Sequence, residues 1–120
     1  MITFSQLGHY GRLGNQLFQF AMLKSVALER GYQLKIPNPD NIILQGQPCQ
    51  LKNFNIKCDF LTDSDYRNIR FRFMEPNHSV FWRQVFDVND NTDFAGYFQS
   101  YLYFKKFEKQ IKEDFKFNSE

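Results

Sequence analysis

Cysteine, histidine and tryptophan are scarce in this chain, and each scarcity removes a class of chemistry. The two cysteines, Cys49 and Cys58, lie nine positions apart, with no C-x-x-C pair and no histidine at metal-ligand spacing. No metal site is therefore expected, and two free thiols in a reducing compartment outweigh a disulfide. No apolar run approaches the ~18 residues of a membrane span, and no charged-then-apolar leader opens the sequence. A net charge of +2 is too small to argue for nucleic acid. There is no G-x-G-x-x-G and no Gly-Lys-Ser/Thr, so the dinucleotide and Walker-type loops are both excluded.

What the chain does have is phenylalanine, 15 residues in a total of 120, enough for one ring-rich domain without staples. Its most informative stretch is near the start. An apolar segment, residues 2–7, runs into a loop holding Gly8, Gly11 and Gly14, which delivers Arg12, Asn15 and Gln16 to the beginning of a helix. Strand, glycine turn and helix is the arrangement that points backbone N–H groups at a ligand, often an anion. Tight turning accounts for the glycines and helix capping for Asn15. Neither accounts for Arg12, which has no obvious local carboxylate, or for Gln16 beside it.

The string Gly11-Arg12-Leu13-Gly14-Asn15-Gln16-Leu17-Phe18-Gln19-Phe20-Ala21 resembles the N-terminal signature of family 11 glycosyltransferases, the α-1,2-fucosyltransferases. A second segment, Ala95-Gly96-Tyr97-Phe98-Gln99-Ser100 followed by Tyr103-Phe104, is similar to that family's Gly-Tyr-Phe-Gln-Ser motif, in the expected order. The resemblance implies an α/β fold: a Rossmann-like parallel-sheet domain, residues 1–120, forming the N-terminal half of a GT-B-type glycosyltransferase. It implies inverting, metal-independent transfer of fucose from GDP-fucose to a galactose 2-hydroxyl of a glycan. It also implies substrate-binding roles for Gly11, Arg12, Gly14, Asn15, Gln16 and Gln99, with Arg12 on phosphate or acceptor oxygens. The family's donor-binding signature, His-x-Arg-Arg-x-Asp, would be due about where the sequence stops, and no Arg-Arg pair occurs in it. The chain alone is therefore expected to be inactive, with the missing C-terminal domain as a natural partner. The competing reading is a non-catalytic glycan-binding or partner-docking module; hydrolysis of an activated sugar is a weaker third. A cytoplasmic location, peripheral to a membrane at most, fits the sequence.

Periodicity alone also reads as α/β. A helix over residues 15–30, closed by Gly31 and apolar on more than one side, joins the first strand to a second over residues 32–36, ended by Pro37. That is a right-handed βαβ unit and implies a parallel sheet. Residues 37–50 read as a long excursion, with a short strand within 51–60 and a helix start at Thr62-Asp63-Ser64-Asp65. Strands are expected over 69–74, 80–88 and 94–98, the last leading into Gln99 and Ser100. Phe104, Phe107, Ile111 and Phe115 predict an amphipathic helix of about three turns, with Lys105, Lys106, Lys109 and Lys112 on its solvated face.

Other candidates carry weaker signals. His9 precedes the loop, and His78 reads as a turn residue. Trp82 could stack a sugar but fits the core better. Tyr97, Gln99 and Ser100 stand at a strand's carboxyl end, where ligands gather. Asp63, Asp65, Asp87, Asp90 and Asp93 are acid-rich turns. A catalytic base could be among them, but nothing in the sequence picks one.

Overall fold

The computed structural model describes residues 1–7, 13–38, 40, 43–44, 47–48, 51, 54 and 56–116. Gly11, Arg12, His9 and Cys49 lie outside the described residues. Among the described residues there are six short strands: β1 (Lys35–Ile36), β2 (Ile43–Leu44), β3 (Gln47–Pro48), β4 (Asp59–Phe60), β5 (Phe71–Met74) and β6 (Thr92–Ala95). The helices are α1 (Leu13–Arg30), α2 (Asp63–Arg67) and α3 (Glu108–Asp114).

Parallel pairing organises the molecule. β1 pairs with β4 and β5 with β6, both in parallel. Residues 2–3 join these pairs through parallel bridges, Ile2 to Leu34 on one side and Thr3 to Asp93 on the other. The hydrogen bonds alternate as a parallel ladder requires. Ile2 N donates to Gln33 O (2.8 Å) and Lys35 N to Ile2 O (3.2 Å), whereas Thr3 N donates to Thr92 O (3.1 Å) and Phe94 N to Thr3 O (2.9 Å). The order across the array is thus β4, β1, residues 2–3, β6, β5. The expected strand over residues 2–7 is shorter than its apolar run, because a turn begins at Ser5, where Leu7 N reaches back to Phe4 O at 2.9 Å.

Side chains alternate across this array. Ile2, Phe4, Ile36 and Phe94 enter the core with Phe20, Leu23 and Val26 of α1. Thr3 and Ser5 fall on the polar side, where Asp93 accepts from Ser5 N (2.8 Å) and from Arg72 (3.3 Å). Asp93, expected in an acid-rich turn, is a buried strand residue instead.

Helix α1 begins two residues earlier than expected, so Asn15 sits in its first turn and not at its cap. Its end agrees with expectation: Gly31 takes the left-handed φ of +70° that favours glycine after a helix. Five consecutive residues, Gln19 to Leu23, are buried, since α1 meets the array on one side and three 3₁₀ turns (Arg83–Asp87, Tyr101–Tyr103, Lys105–Phe107) around it. Phe98 is the hub of the aromatic core, within 6.3 Å of the rings of Phe4, Phe73, Phe94 and Tyr103. Each such buried ring contributes about 2–3 kcal/mol of apolar burial.

Several expectations are corrected. Residues 80–88 hold a 3₁₀ turn over Arg83–Asp87, not a strand: Phe81, Trp82, Val85, Phe86 and Val88 recur at helical spacing, and Val85 N bonds Trp82 O at 3.2 Å. The final strand is Thr92–Ala95, two residues earlier than expected at its start, and it ends before Gly96 and Phe98, whose φ values of +141° and +51° turn the chain. Gln99 and Ser100 therefore follow a turn and not the strand itself. The three-turn helix at the end is only α3, seven residues, preceded by two 3₁₀ turns. The excursion over 37–50 contains an antiparallel pair, β2 with β3. The helix start at Thr62 is as read, with a complete capping box to Asp65.

Candidate functional site

The carboxyl ends of β5 and β6 and the first turn of α1 converge on one place. There the side-chain amide of Gln99 donates to Asn15 Oδ1, joining residues 84 positions apart. Four residues further along α1, buried Gln19 donates to the carbonyl of Gly96 at 3.1 Å. This pins the helix to the turn that carries Tyr97, Phe98 and Gln99.

Beneath that turn lies Glu75, which the sequence reading did not single out. Its side chain is fully buried, yet it accepts from Tyr97 N and Phe98 N at 3.0 Å each and meets His78 Nδ1 at 2.6 Å. The His78 ring also meets Tyr97 edge-on, 4.7 Å between centroids. Only glycine fits at position 96, because a β-carbon there would stand 2.5 Å from Glu75 Cβ. The signal that could have found Glu75 is slight: an acidic residue closing a strand, three positions before a histidine.

The expected site residues divide. Asn15 and Gln99 are brought together, with Gln99 exposed. Gly14 is exposed with open space where a β-carbon would be. Gln16 is buried in α1 at 4% exposure, the least open of the described set. Ser100 Oγ accepts from Leu102 N at 3.2 Å and so caps a 3₁₀ turn. Trp82 Nε1 donates to Asn77 O at 3.0 Å and its ring packs against the core. Asp65 is committed to Lys35 and Thr62, and Asp93 to Ser5 and Arg72. Asp63 and Asp87 are exposed.

Among the described residues, three concavities touch α1, and two of them bear on the extent of the site. An apolar groove of about 330 Å³ runs beside its first turns, lined by Leu17, Phe18, Phe104, Ile111 and Phe115. A cleft of about 700 Å³ with Arg30, Arg83, Lys105 and Lys106 at its rim lies at the far end of the helix, roughly 20 Å from Asn15 by helical rise. It is a separate feature. Among the described residues, no three His, Cys, Asp or Glu side chains converge as a metal site requires. No helix among them is long and apolar enough to cross a membrane. Cys58 is a free thiol, pushed up to about 11 by burial and then by nearby Asp114 and Asp59.

No family model, curated protein or solved structure matches this chain.

Proposed function

We propose that this chain supplies the acceptor-side half of a sugar-transfer cleft of the α-1,2-fucosyltransferase type, a Rossmann-like N-terminal half of a GT-B enzyme. The observation that carries the reading is the hydrogen bond between Asn15 and Gln99, one residue from each of the two resembled motifs. Two carboxamides side by side offer both donors and acceptors, the chemistry that sugar hydroxyls require. They stand at the carboxyl edge of a parallel array, where ligands of α/β domains collect. Arg12, three positions before Asn15, would add a fork for phosphate or acceptor oxygens.

His-x-Arg-Arg-x-Asp is absent from these 120 residues, so the donor-binding half belongs in this reading to a further domain or partner. Transfer proceeds by attack of a galactose 2-hydroxyl on the anomeric carbon of GDP-fucose, with arginines in place of metal neutralising the leaving diphosphate. A second reading, a non-catalytic glycan-binding or partner-docking module, draws on the apolar groove beside α1.

Calorimetric titration with GDP-fucose, GDP and lactose, a galactose-terminated disaccharide, tests both. The transferase reading expects lactose binding that weakens at least tenfold in Gln99→Ala and in Arg12→Ala. Binding to none of the three ligands would overturn it.

A further inference from the structure

We propose that His78, held through Nδ1 by the buried carboxylate of Glu75, is the general base that takes the proton from the acceptor hydroxyl. The proposal rests on the sugar-transfer reading above and supplies the base which that reading lacks.

The argument starts from an asymmetry. In an ordinary surface ion pair both partners are wet, and their mutual attraction is small. Here the Glu75 side chain is 0% exposed while His78 is 57% exposed. Burying a carboxylate is costly unless donors meet it; Tyr97 N and Phe98 N both donate to it, and His78 Nδ1 makes a third contact at 2.6 Å. Two backbone donors alone would have satisfied one lone pair on each oxygen. The third contact does something else. A carboxylate can only accept, so it fixes the imidazole hydrogen on Nδ1 and leaves the Nε2 lone pair as the basic site. Edge-on contact with Tyr97 then restricts the ring plane. The ring therefore has one tautomer, one orientation and an accessible base, the arrangement a positioned proton acceptor needs.

Location agrees with this. His78 lies in the turn after β5, and its neighbour Tyr97 is two residues from Gln99, which bonds Asn15. Glu75, Tyr97, Gln99 and Asn15 all stand at the same edge of the array. The titratable groups in contact with the imidazole are Glu75, following β5, and Tyr97, following β6.

In the step itself, the acceptor oxygen forms its bond to the anomeric carbon of the nucleotide sugar while its proton passes to His78 Nε2. The bond from that carbon to the nucleoside diphosphate breaks with its electron pair, and the diphosphate leaves as the anion. The imidazolium so formed stays bound to Glu75, which balances its charge. Glu75 is a positioning residue in this scheme.

The test uses the full chain with 15N-labelled histidine and glutamine/asparagine side chains, and lactose as the probe. His78→Gln assigns the ring signals, and a cooperative unfolding transition shows that the variant is folded. We expect the neutral ring to carry its hydrogen on Nδ1, and lactose to shift the His78 ring together with the Asn15 and Gln99 amides. Glu75→Gln should move the ring toward the Nε2–H tautomer and weaken the lactose-induced shift at His78 while leaving those at Asn15 and Gln99. A free protein already in the Nε2–H form would overturn the proposal, and so would lactose shifts at Asn15 and Gln99 without one at His78. If lactose shifts none of the three, the transferase reading fails and takes the base with it.

Discussion

Gly96 passes so close to Glu75 that a β-carbon on residue 96 would stand 2.5 Å from Glu75 Cβ, and its φ of +141° is one that side chains rarely adopt. Both obstacles act on the same turn. Gly96→Ala should therefore cost on the order of 3 kcal/mol in urea unfolding. Gly14 is the control: nothing lies within 4 Å of its β-position and it sits in a helix. Gly14→Ala should raise stability by up to about 1 kcal/mol. If Gly14 admits a ligand closely, the same change should weaken lactose binding, so that stability and binding move in opposite directions.

The contact between Asn15 and Gln99 is open to a double-mutant cycle. Asn15→Ala and Gln99→Ala should each cost less than about 1.5 kcal/mol, with a coupling of about 0.5–1 kcal/mol between them. Additive effects would mean that the hydrogen bond does not form in solution.

Thr3 has a buried hydroxyl with no hydrogen-bond partner among the described residues, in the centre of the parallel array. A buried polar atom without a partner is destabilising, and valine has nearly the same shape. Thr3→Val should stabilise the chain by about 1 kcal/mol. A loss of stability would reveal a partner for that hydroxyl.

At Thr62 the capping box closes α2: Asp65 N donates to Thr62 Oγ1 (3.3 Å) and Thr62 N to Asp65 Oδ2 (2.8 Å). Thr62→Ala should cost about 1 kcal/mol, read from amide exchange in α2. The bond from Thr62 N, then Lys35, holds Asp65 below its ordinary value. A depressed carboxylate stabilises the fold above its unfolded pKa and loses that contribution as pH falls through the folded one. Protection of α2 should therefore decline only below the usual carboxylate range, and Lys35→Met, which removes the second donor to Asp65, should bring the decline to higher pH.

Cys58 gives a prediction in the alkaline direction. Burial keeps its thiol protonated to about 11, and only the thiolate reacts. In a Cys49→Ser background, iodoacetamide should modify Cys58 far more slowly at pH 8 than it does the unfolded chain. The rate should climb as pH rises toward 11. Modification at the unfolded rate would show the thiol to be open.

The local features were legible in the sequence and the non-local ones were not. Thr62 with Asp65, and Gly31 after α1, are signals that span a few residues, and the structure carries them as read. In residues 80–88, the apolar positions 80, 82, 86 and 88 suggest a period of two, but 81 and 85 are apolar as well and fit a helical spacing, which was the clue missed. Phe71, in a strand read from its alternation, is 49% exposed, and β5 lies at the edge of the array with no strand beyond it among the described residues. Glu75 was invisible because its backbone partners come 22 and 23 positions later. Gln19 likewise finds Gly96 only through the fold, 77 positions away. At the candidate site, motif resemblance pointed to Asn15 and Gln99, whereas the carboxylate and imidazole beneath them needed coordinates.

The position of residues 2–3 between β1 and β6 has a consequence for how the protein is made. On a ribosome these residues emerge well before one of their two neighbours, residues 92–95, which is translated about 90 positions later. At typical elongation rates that gap lasts roughly 5–20 seconds. Throughout it, Thr3 and its neighbours have an unpaired edge and Phe4 lacks Phe98, so the middle of the finished array stays open on one side until β6 has been made.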